Sequence, residues 1–240
     1  MNKALFVGAT DISDLLQYIS KVIASSGKRV LLVDGTNELY IEYGTPIPSP
    51  ELKVIEYEGF DVAVGFDHLS ELKSFLNKNQ QYDQLILHCS KDSFLTKEDM
   101  NWFEFKYIAT SQEKISIDKT VEFLNSIFVQ RDAKEEETKI MFTRIHINSI
   151  DSNMAEDYLE TVLFSLPISW SENPYELLYD NVDYAVKVNN QNDGKISIRR
   201  LSRNFKKVIQ WLSGEITGLE QKEIKPVMKQ VMRRSFVWGK

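Results

Sequence analysis

Two stretches near the amino terminus decide the fold: Leu5-Phe6-Val7-Gly8-Ala9-Thr10-Asp11-Ile12-Ser13 and Ser26-Gly27-Lys28-Arg29-Val30-Leu31-Leu32-Val33-Asp34. Each contains an apolar run of three or four residues, the length of a short buried strand. Between the two runs, apolar residues recur at spacings of three and four, which predicts a helix over residues 11–26 that ends at Gly27. The pattern therefore predicts a strand–helix–strand unit, from which parallel sheets are built.

The same alternation of short apolar runs and helical patterns continues along the chain. Further strands are predicted at residues 54–57 and 62–64, as a hairpin around Gly59, and at 85–87, 107–109, 140–142 and 167–170; further helices are predicted at 67–78, 95–105, 117–130, 153–165 and 197–214. This order is typical of an α/β fold with three layers, a mostly parallel sheet flanked by helices. We expect one large domain over residues 1–218 and a basic amphipathic C-terminal tail over residues 219–240.

The composition is that of an ordinary globular protein, with 42 % hydrophobic and 27 % charged residues among 240, which excludes wholesale disorder. A formal net charge of −6 makes nucleic acid an unexpected partner of the whole chain. The single cysteine, Cys89, excludes a disulfide framework and is typical of a reducing compartment. No apolar run approaches the ~18 residues of a membrane span, and the first residues lack the pattern of a signal peptide. We therefore expect a cytoplasmic protein.

The ordered set of motifs resembles the ParA/MinD family of P-loop ATPases, over roughly residues 1–215. That family typically has a strand, Lys-Gly-Gly-x-Gly-Lys-Thr, a helix and then Gly-Lys-x-Val-Leu-Leu-Val-Asp, which is similar to residues 27–34. Residues 82–88, Tyr-Asp-Gln-Leu-Ile-Leu-His, resemble the Walker B strand, and residues 140–144, Ile-Met-Phe-Thr-Arg, resemble the strand whose Asn-Arg contacts the adenine. The resemblance implies a P-loop NTPase-like fold.

The loop that matches the family's phosphate loop has lost its cations. Ile12 stands where the phosphate-binding lysine belongs, and Asp11 replaces the third loop glycine. Gly8 keeps the first glycine, and Ser13 matches the serine or threonine that coordinates Mg²⁺. A phosphate loop presents N–H groups and an ammonium group to an anion, which a carboxylate in the loop repels. A plainer use is that Asp11 caps the following helix and Asp14 completes a capping box.

The other matching positions are similarly changed. Asp34 stands at the family's conserved aspartate after the second strand, but His88 replaces the Mg²⁺-linked aspartate of Walker B. A neutral imidazole is a poor ligand for a hard cation that prefers oxygen. Thr143 replaces the adenine-contacting asparagine, whereas Arg144 remains. The degenerate nucleotide-site positions are Gly8, Asp11, Ile12, Ser13, Asp34, His88, Thr143 and Arg144.

The C-terminal segment departs most from the rest of the chain in charge. Residues 221–240 hold six basic side chains and one acid, and Pro226 can occupy the first turn of a helix. An apolar stripe with basic neighbours is typical of a helix that packs on its own domain, contacts a partner or lies on an anionic membrane. The residues predicted for membrane or partner contact are Lys229, Met232, Arg233, Arg234, Phe236 and Trp238.

The remaining residues of chemical interest do not form a recognisable site. The three histidines and Cys89 lack zinc-ligand spacing, and no serine stands in a nucleophile elbow. We expect no catalytic residue, no metal and no cofactor. An aromatic cluster packs over a sheet edge or forms a docking surface: Trp170, Tyr175, Tyr179 and Tyr184.

Three functions follow from these patterns. The first is a catalytically inactive pseudo-ATPase that acts as a scaffold or positioning factor for a bacterial machine (a pilus, a secretion or conjugation apparatus, or a partition complex), as a homodimer or with an active relative. The second is a divergent ATPase or GTPase whose phosphate-binding lysine comes from elsewhere in the chain or from a second subunit, with Lys21, Lys28 and Lys91 as candidates. The third is an adaptor that meets the inner face of the membrane through its C-terminal helix.

Overall fold

A nine-stranded sheet forms the centre of the molecule, for which a computed structural model describes residues 1–49, 51–128, 138–153 and 158–234. The strands are β1 Asn2–Val7, β2 Val30–Gly35, β3 Val54–Tyr57, β4 Phe60–Ala63, β5 Gln84–Cys89, β6 Phe105–Ser111, β7 Ile140–Ser149, β8 Ile168–Trp170 and β9 Tyr175–Leu178. The helices are α1 Ser13–Ser25, α2 Tyr40–Tyr43, α3 Leu69–Lys78, α4 Lys114–Phe128, α5 Tyr158–Val162, α6 Asn181–Asp193, α7 Arg203–Thr217 and α8 Gln221–Arg234, with a 3₁₀ turn at Glu98–Trp102.

The strand order across the sheet is β3-β4-β2-β5-β1-β6-β7, and both β8 and β9 pair with β7. Strand β8 pairs with the first part of β7 and β9 with its last part. All pairings between described strands are parallel except the predicted hairpin of β3 and β4. The predicted mostly parallel sheet is therefore confirmed.

Helices cover both faces of the sheet, so that each central strand is buried on both sides. In β1, Ala4 and Phe6 belong to the core beneath α1, α7 and α8, whereas Leu5 and Val7 belong to the core beneath α3 and α4. This alternation places successive side chains in opposite layers. The predicted three-layer α/β architecture is confirmed.

Several predicted elements differ from those observed. The helix predicted at residues 95–105 is only the short 3₁₀ turn, and of the helix predicted at 153–165 the described residues contain only α5. The helix predicted at 197–214 begins at Arg203, because the Ser202 Oγ accepts the N–H of Phe205 at 3.1 Å and so caps the helix there. Strand β9 and helix α6 were not predicted.

The described part of the C-terminal tail is helix α8, which packs on the domain. Ile224, Met228 and Val231 are buried in the same core as α1 and α7. Pro226 lies inside the helix rather than in its first turn, so that prediction was wrong. Helix α7, before the tail, ends at Thr217, and its C-cap residue Gly218 adopts a left-handed conformation with φ of 72°. The division into residues 1–218 and 219–240 stays a prediction.

Candidate functional site

The loop between β1 and α1 is held from two sides by the rest of the protein. Gly8 has a φ of +144°, and a Cβ atom there would lie 2.1 Å from the Ala109 carbonyl oxygen, so the position requires glycine. The N–H of Gly8 donates to the Cys89 carbonyl at 3.2 Å, and that of Ala9 donates to Thr120 Oγ1 on α4 at 3.1 Å. These two N–H groups are therefore satisfied within the protein.

Asp11 binds the first residue of α1. Its Oδ1 accepts the Ser13 N–H at 3.0 Å and the Ser13 hydroxyl at 2.7 Å. Asp11 was predicted to be the cap, but the N-cap residue is Ile12, whose buried side chain accepts no N–H. Asp11 instead binds the Ser13 N–H from the residue before the N-cap. The hydroxyl that matches the family's Mg²⁺ ligand is thus buried and engaged.

Lys187, from helix α6, reaches into this loop. Its Nζ lies 2.7 Å from Asp11 Oδ2 and 3.5 Å from Asp14 Oδ1, and its side chain is largely buried. The predicted capping box is therefore wrong, since Asp14 faces Lys187 instead. The loop therefore does contain a cation, the Lys187 ammonium group, but this cation is paired with the carboxylates of Asp11 and Asp14.

The protonation tendencies within this cluster follow from burial and charge. Burial opposes the ionised form of Asp11, but the Lys187 ammonium and the Ser13 hydrogen bonds outweigh it and lower the pKa of Asp11. Burial raises the pKa of Asp14 despite the attraction of Lys187. Burial also disfavours the charged form of Lys187, but the two carboxylates outweigh it and raise its pKa. Lys187 and Asp11 therefore form an ion pair, with Asp14 as the second, more distant partner.

Little space remains beside this cluster. The cavity between α1, α6, the end of β7 and β9 has a volume of about 40 Å³, and Asp11, Asp14, Asp183 and Lys187 contribute its charged lining. Sites for small molecules and cofactors usually have volumes of ~300–1,000 Å³. This cavity has room for little more than water.

Asp34 and His88 are neighbours across strands β2 and β5 and serve the local structure. The Asp34 Oδ2 accepts the N–H groups of Ile41 and Glu42 at 2.7 and 3.0 Å, which holds α2. The fully buried His88 donates from Nε2 to the Gly8 carbonyl at 3.0 Å, which fixes this tautomer. Burial lowers the pKa of His88, and its Nδ1 has no hydrogen-bond partner among the described residues. His88 is therefore a neutral support for the loop.

Thr143 and Arg144 do not join the other predicted site residues. Thr143 Oγ1 accepts the hydroxyl of Ser171 at 2.9 Å. Arg144 pairs with Glu160, and its Cζ atom lies 5.8 Å from the centre of the Trp170 ring. Its side chain is on the same side of β7 as that of Phe142, two residues earlier. That side faces away from α1, because Phe142 belongs to the opposite core. The structure brings together Gly8, Asp11, Ile12, Ser13, Asp34 and His88.

The lysine that approaches the loop was missed by the sequence analysis. Lys21 instead pairs with Glu58, Lys91 pairs with Asp67, and Lys28 is exposed beyond α1. The signal that could have identified Lys187 is the pair of helix boundaries around it: Asp180 at the start and Gly194 at the end of α6. Within the described ranges, no group of three or more His, Cys, Asp or Glu residues is arranged to hold a metal ion.

Three of the six residues predicted for membrane or partner contact have side chains that the structure describes. Lys229 and Arg233 are exposed and Met232 is half-buried, whereas the side chain of Arg234 and all of Phe236 and Trp238 lie outside the described residues. Residues 195–240 hold 12 basic and 3 acidic residues, so this segment carries +9 and residues 1–194 carry −15. In the part of the chain that the structure describes, no helix is both long and apolar enough to cross a bilayer.

The sheet order and the loop geometry define a P-loop NTPase-like fold of the ParA/MinD type. The structure matches that of a ParA family ATPase from Chlorobium tepidum with a TM-score of 0.53 and 11 % identity, over 97 % of this chain and 99 % of that one. The MinC:MinD cell division complex of Aquifex aeolicus gives 0.49 and 12 %, over 100 % and 99 %. The pNOB8 ParA bound to nonspecific DNA gives 0.48 and 14 %, over 95 % and 99 %.

Sequence comparison adds no closer relationship. A scan against models of protein families finds no match, and neither does a search of curated proteins. At 11 % identity the structural likeness establishes the fold and nothing about activity.

Proposed function

We propose that this chain is a ParA/MinD-like pseudo-ATPase, a scaffold or positioning factor that works through protein contacts in a bacterial membrane-associated or partition machine. The observation that carries the proposal is the ion pair of Lys187 with Asp11 at 2.7 Å, inside the loop where the family holds a triphosphate. The small volume of the adjoining cavity supports it.

The electrostatics of the loop oppose a bound triphosphate. Two like charges ~4 Å apart repel by about 1 kcal/mol in water and about 4 kcal/mol near a protein surface. A phosphate placed on the loop would meet the Asp11 carboxylate and would have to compete with both acids for Lys187. The loop is therefore better suited to its internal salt bridge than to a nucleotide.

Calorimetry with ATP and Mg²⁺, paired with a phosphate-release assay, tests this proposal. We expect no saturable heat and no turnover from the wild-type chain. Asp11→Gly removes the repelling carboxylate and is expected to raise nucleotide affinity. Such a rise would indicate that the loop descends from a functional nucleotide site. Tight binding with turnover by the wild-type chain would reject the proposal.

A divergent ATPase is the second candidate, because Lys187 is a lysine delivered to the loop from elsewhere in the chain. In that case the ammonium would exchange its carboxylates for phosphates. A steady hydrolysis rate that is lost in both Ser13→Ala and Lys187→Ala would support the enzyme. Absence of hydrolysis under all nucleotide conditions removes it.

A membrane-surface adaptor is the third candidate, favoured by the exposed basic side chains of α8. Because Ile224, Met228 and Val231 are buried, such contact would rest on charge rather than on insertion of the helix. Co-sedimentation with anionic vesicles tests it, using Lys229→Glu with Arg233→Glu in the full chain. Charge reversal is the sharper variant, since deletion after Gly218 would also remove core residues. Equal sedimentation of both chains would exclude the adaptor. The wild-type chain and the charge-reversed variant can also be used to test the expectation that nucleic acid is not a partner.

A further inference from the structure

Helix α6 turns three polar side chains toward the protein and exposes four of its five apolar residues to solvent. Asp183 and Asn190 are 5 % and 8 % exposed, and Lys187 is largely buried. Val182 and Tyr184 are 53 % and 56 % exposed. A surface helix normally has the reverse arrangement, with charged residues outside. The outer face of α6 therefore requires an explanation of its own.

The inward polar residues each have a partner on a neighbouring element. The Asn190 amide donates to the Tyr18 hydroxyl at 3.1 Å, and Asp183 accepts the N–H of Ser202 at 2.5 Å. Lys187 binds the loop before α1. These contacts fix the rotation of the helix, so its apolar face cannot turn inward without breaking them.

The outer face of α6 carries no charge before the last residue of the helix, the exposed Asp193. At about 100° per residue, Ala185 and Val188 lie near the middle of this face, with Val182 and Tyr184 on either side. The other exposed positions before Asp193 are amides: Asn181, Asn189, Gln191 and Asn192. In a chain with 27 % charged residues, an outer helix face that is uncharged from residue 181 to residue 192 is unusual.

The apolar surface continues onto the end of strand β9. Leu178 and Tyr179, directly before the helix, are both about half exposed. We define the α6 face as Leu178, Tyr179, Val182, Tyr184, Ala185 and Val188. Contiguous exposed apolar surfaces with a polar rim mark protein interaction sites.

We propose that the α6 face binds the α6 face of a second copy of this chain, in a two-fold symmetric dimer that needs no nucleotide. This inference rests on the proposed function and deepens it, because it names the partner and the surface of a protein that works through contacts.

Three properties of the face fit a second copy. A two-fold interface sets identical surfaces against each other, so a charged face would repel itself, whereas this one is neutral. Asparagine and glutamine side chains both donate and accept, so the amide rim can pair with itself. Two α6 helices crossing in an antiparallel sense would also place opposite ends of their dipoles together. An acidic or basic partner would find no complementary charge here.

Sedimentation velocity of the full chain from 1 to 200 μM tests the dimer. We expect a reversible monomer–dimer equilibrium with a Kd in the micromolar range. Val188→Glu sets two carboxylates against each other near the symmetry axis and is expected to raise Kd at least tenfold. The matched control is Phe164→Glu, which adds the same charge at a side chain that is 89 % exposed and lies outside the α6 face.

Cysteine cross-linking locates the interface independently. The natural Cys89 is buried, so a cysteine introduced on the α6 face is the reactive thiol of the described residues. We expect Ala185→Cys or Val188→Cys to form a disulfide-linked dimer under mild oxidation, and Phe164→Cys to remain monomeric. Far-ultraviolet circular dichroism of each variant checks that it folds.

The outcomes separate this inference from the proposed function. A monomer up to 200 μM, a dimer broken by Phe164→Glu but not by Val188→Glu, or no cross-link at either α6 position would overturn the α6 dimer. A dimer that forms only with ATP and Mg²⁺ would overturn its independence of nucleotide. Nucleotide binding by calorimetry with an unchanged Kd would instead contradict the pseudo-ATPase and leave the α6 dimer standing.

Discussion

Helices α1 and α6 are both 13 residues long and touch each other, but they are held by opposite means. Helix α1 buries an apolar stripe: Leu15, Leu16, Ile19, Val22 and Ile23. The side chain of its N-cap residue, Ile12, provides no cap. Helix α6 buries mainly polar residues and is capped by Asp180, whose carboxylate accepts the N–H groups of Val182 and Asp183. Hydrophobic periodicity therefore specifies α1, whereas capping and polar contacts specify α6.

The sharpest way to test the comparison is to remove one apolar side chain from each helix. Leu16→Ala in α1 leaves a cavity at a fully buried position and is expected to lower the free energy of unfolding by about 3 kcal/mol. Val182→Ala on the outer face of α6 is expected to change it by less than about 0.5 kcal/mol. Urea unfolding in dilute protein measures both, and equal losses would mean that α6 is also held by apolar burial.

This difference explains which elements could be predicted from the sequence. The β1–α1–β2 unit has apolar residues at the spacing of its burial, so pattern and structure agree. In α6, Val182 and Val188 are exposed and Asp183 is buried, so the apolar spacing gives the wrong face and no helix was predicted. The short strand β9, which pairs with the far end of β7, was missed along with it.

The candidate site was predictable only where strand ends define it. Gly8, Asp34 and His88 lie at the carboxyl ends of adjacent parallel strands, so the sequence places them together. Arg144 was expected at such an end, but β7 continues to Ser149 and leaves it within the strand. Lys187 could not be placed, because it reaches Asp11 from 176 residues along the chain.

The next largest effect is expected from the salt bridge that joins the two helices. Lys187→Ala leaves two buried carboxylates without their cation and is expected to lower the free energy of unfolding by about 2–3 kcal/mol, less than for a fully buried pair because some exposure remains. Lys207→Ala, at an exposed position of α7, is the control and is expected to stay within about 0.5 kcal/mol. Recovery of stability in Lys187→Met with Asp11→Asn would identify the unpaired charge as the cause.

The pH dependence of stability separates the two carboxylates of this cluster. The pKa of Asp11 in the folded chain lies below its ordinary value of 3.8, so folding favours the ionised form. Its contribution is therefore complete above pH 3.8 and is lost as the pH falls through the lower folded pKa. Asp14 has a raised folded pKa, so its ionised form opposes folding and acid relieves this effect.

Asp11→Asn is accordingly expected to lower the free energy of unfolding by about 1.5 kcal/mol at pH 7, the lower end for hydrogen bonds to charged groups because Asp11 is partly exposed. The loss should shrink toward zero as the pH falls below 3.8. Asp14→Asn is expected to cost less than Asp11→Asn at pH 7. Urea unfolding at a series of pH values compares the two, and a loss in Asp11→Asn that does not change with pH would contradict the ion pair.

The smallest expected effect concerns the cap that begins α6. Asp180→Ala removes the acceptor of the Val182 and Asp183 N–H groups, at 2.7 and 3.2 Å, and is expected to lower the free energy of unfolding by about 1 kcal/mol. Because α6 depends on its ends, amide hydrogen exchange should increase in the first turn of α6 and stay unchanged in α1. Asp180→Asn retains an acceptor and is expected to restore most of the protection. Equal exchange increases in both helices would show that α6 is not an independently capped element, and that the contrast between the two helices is only one of sequence pattern.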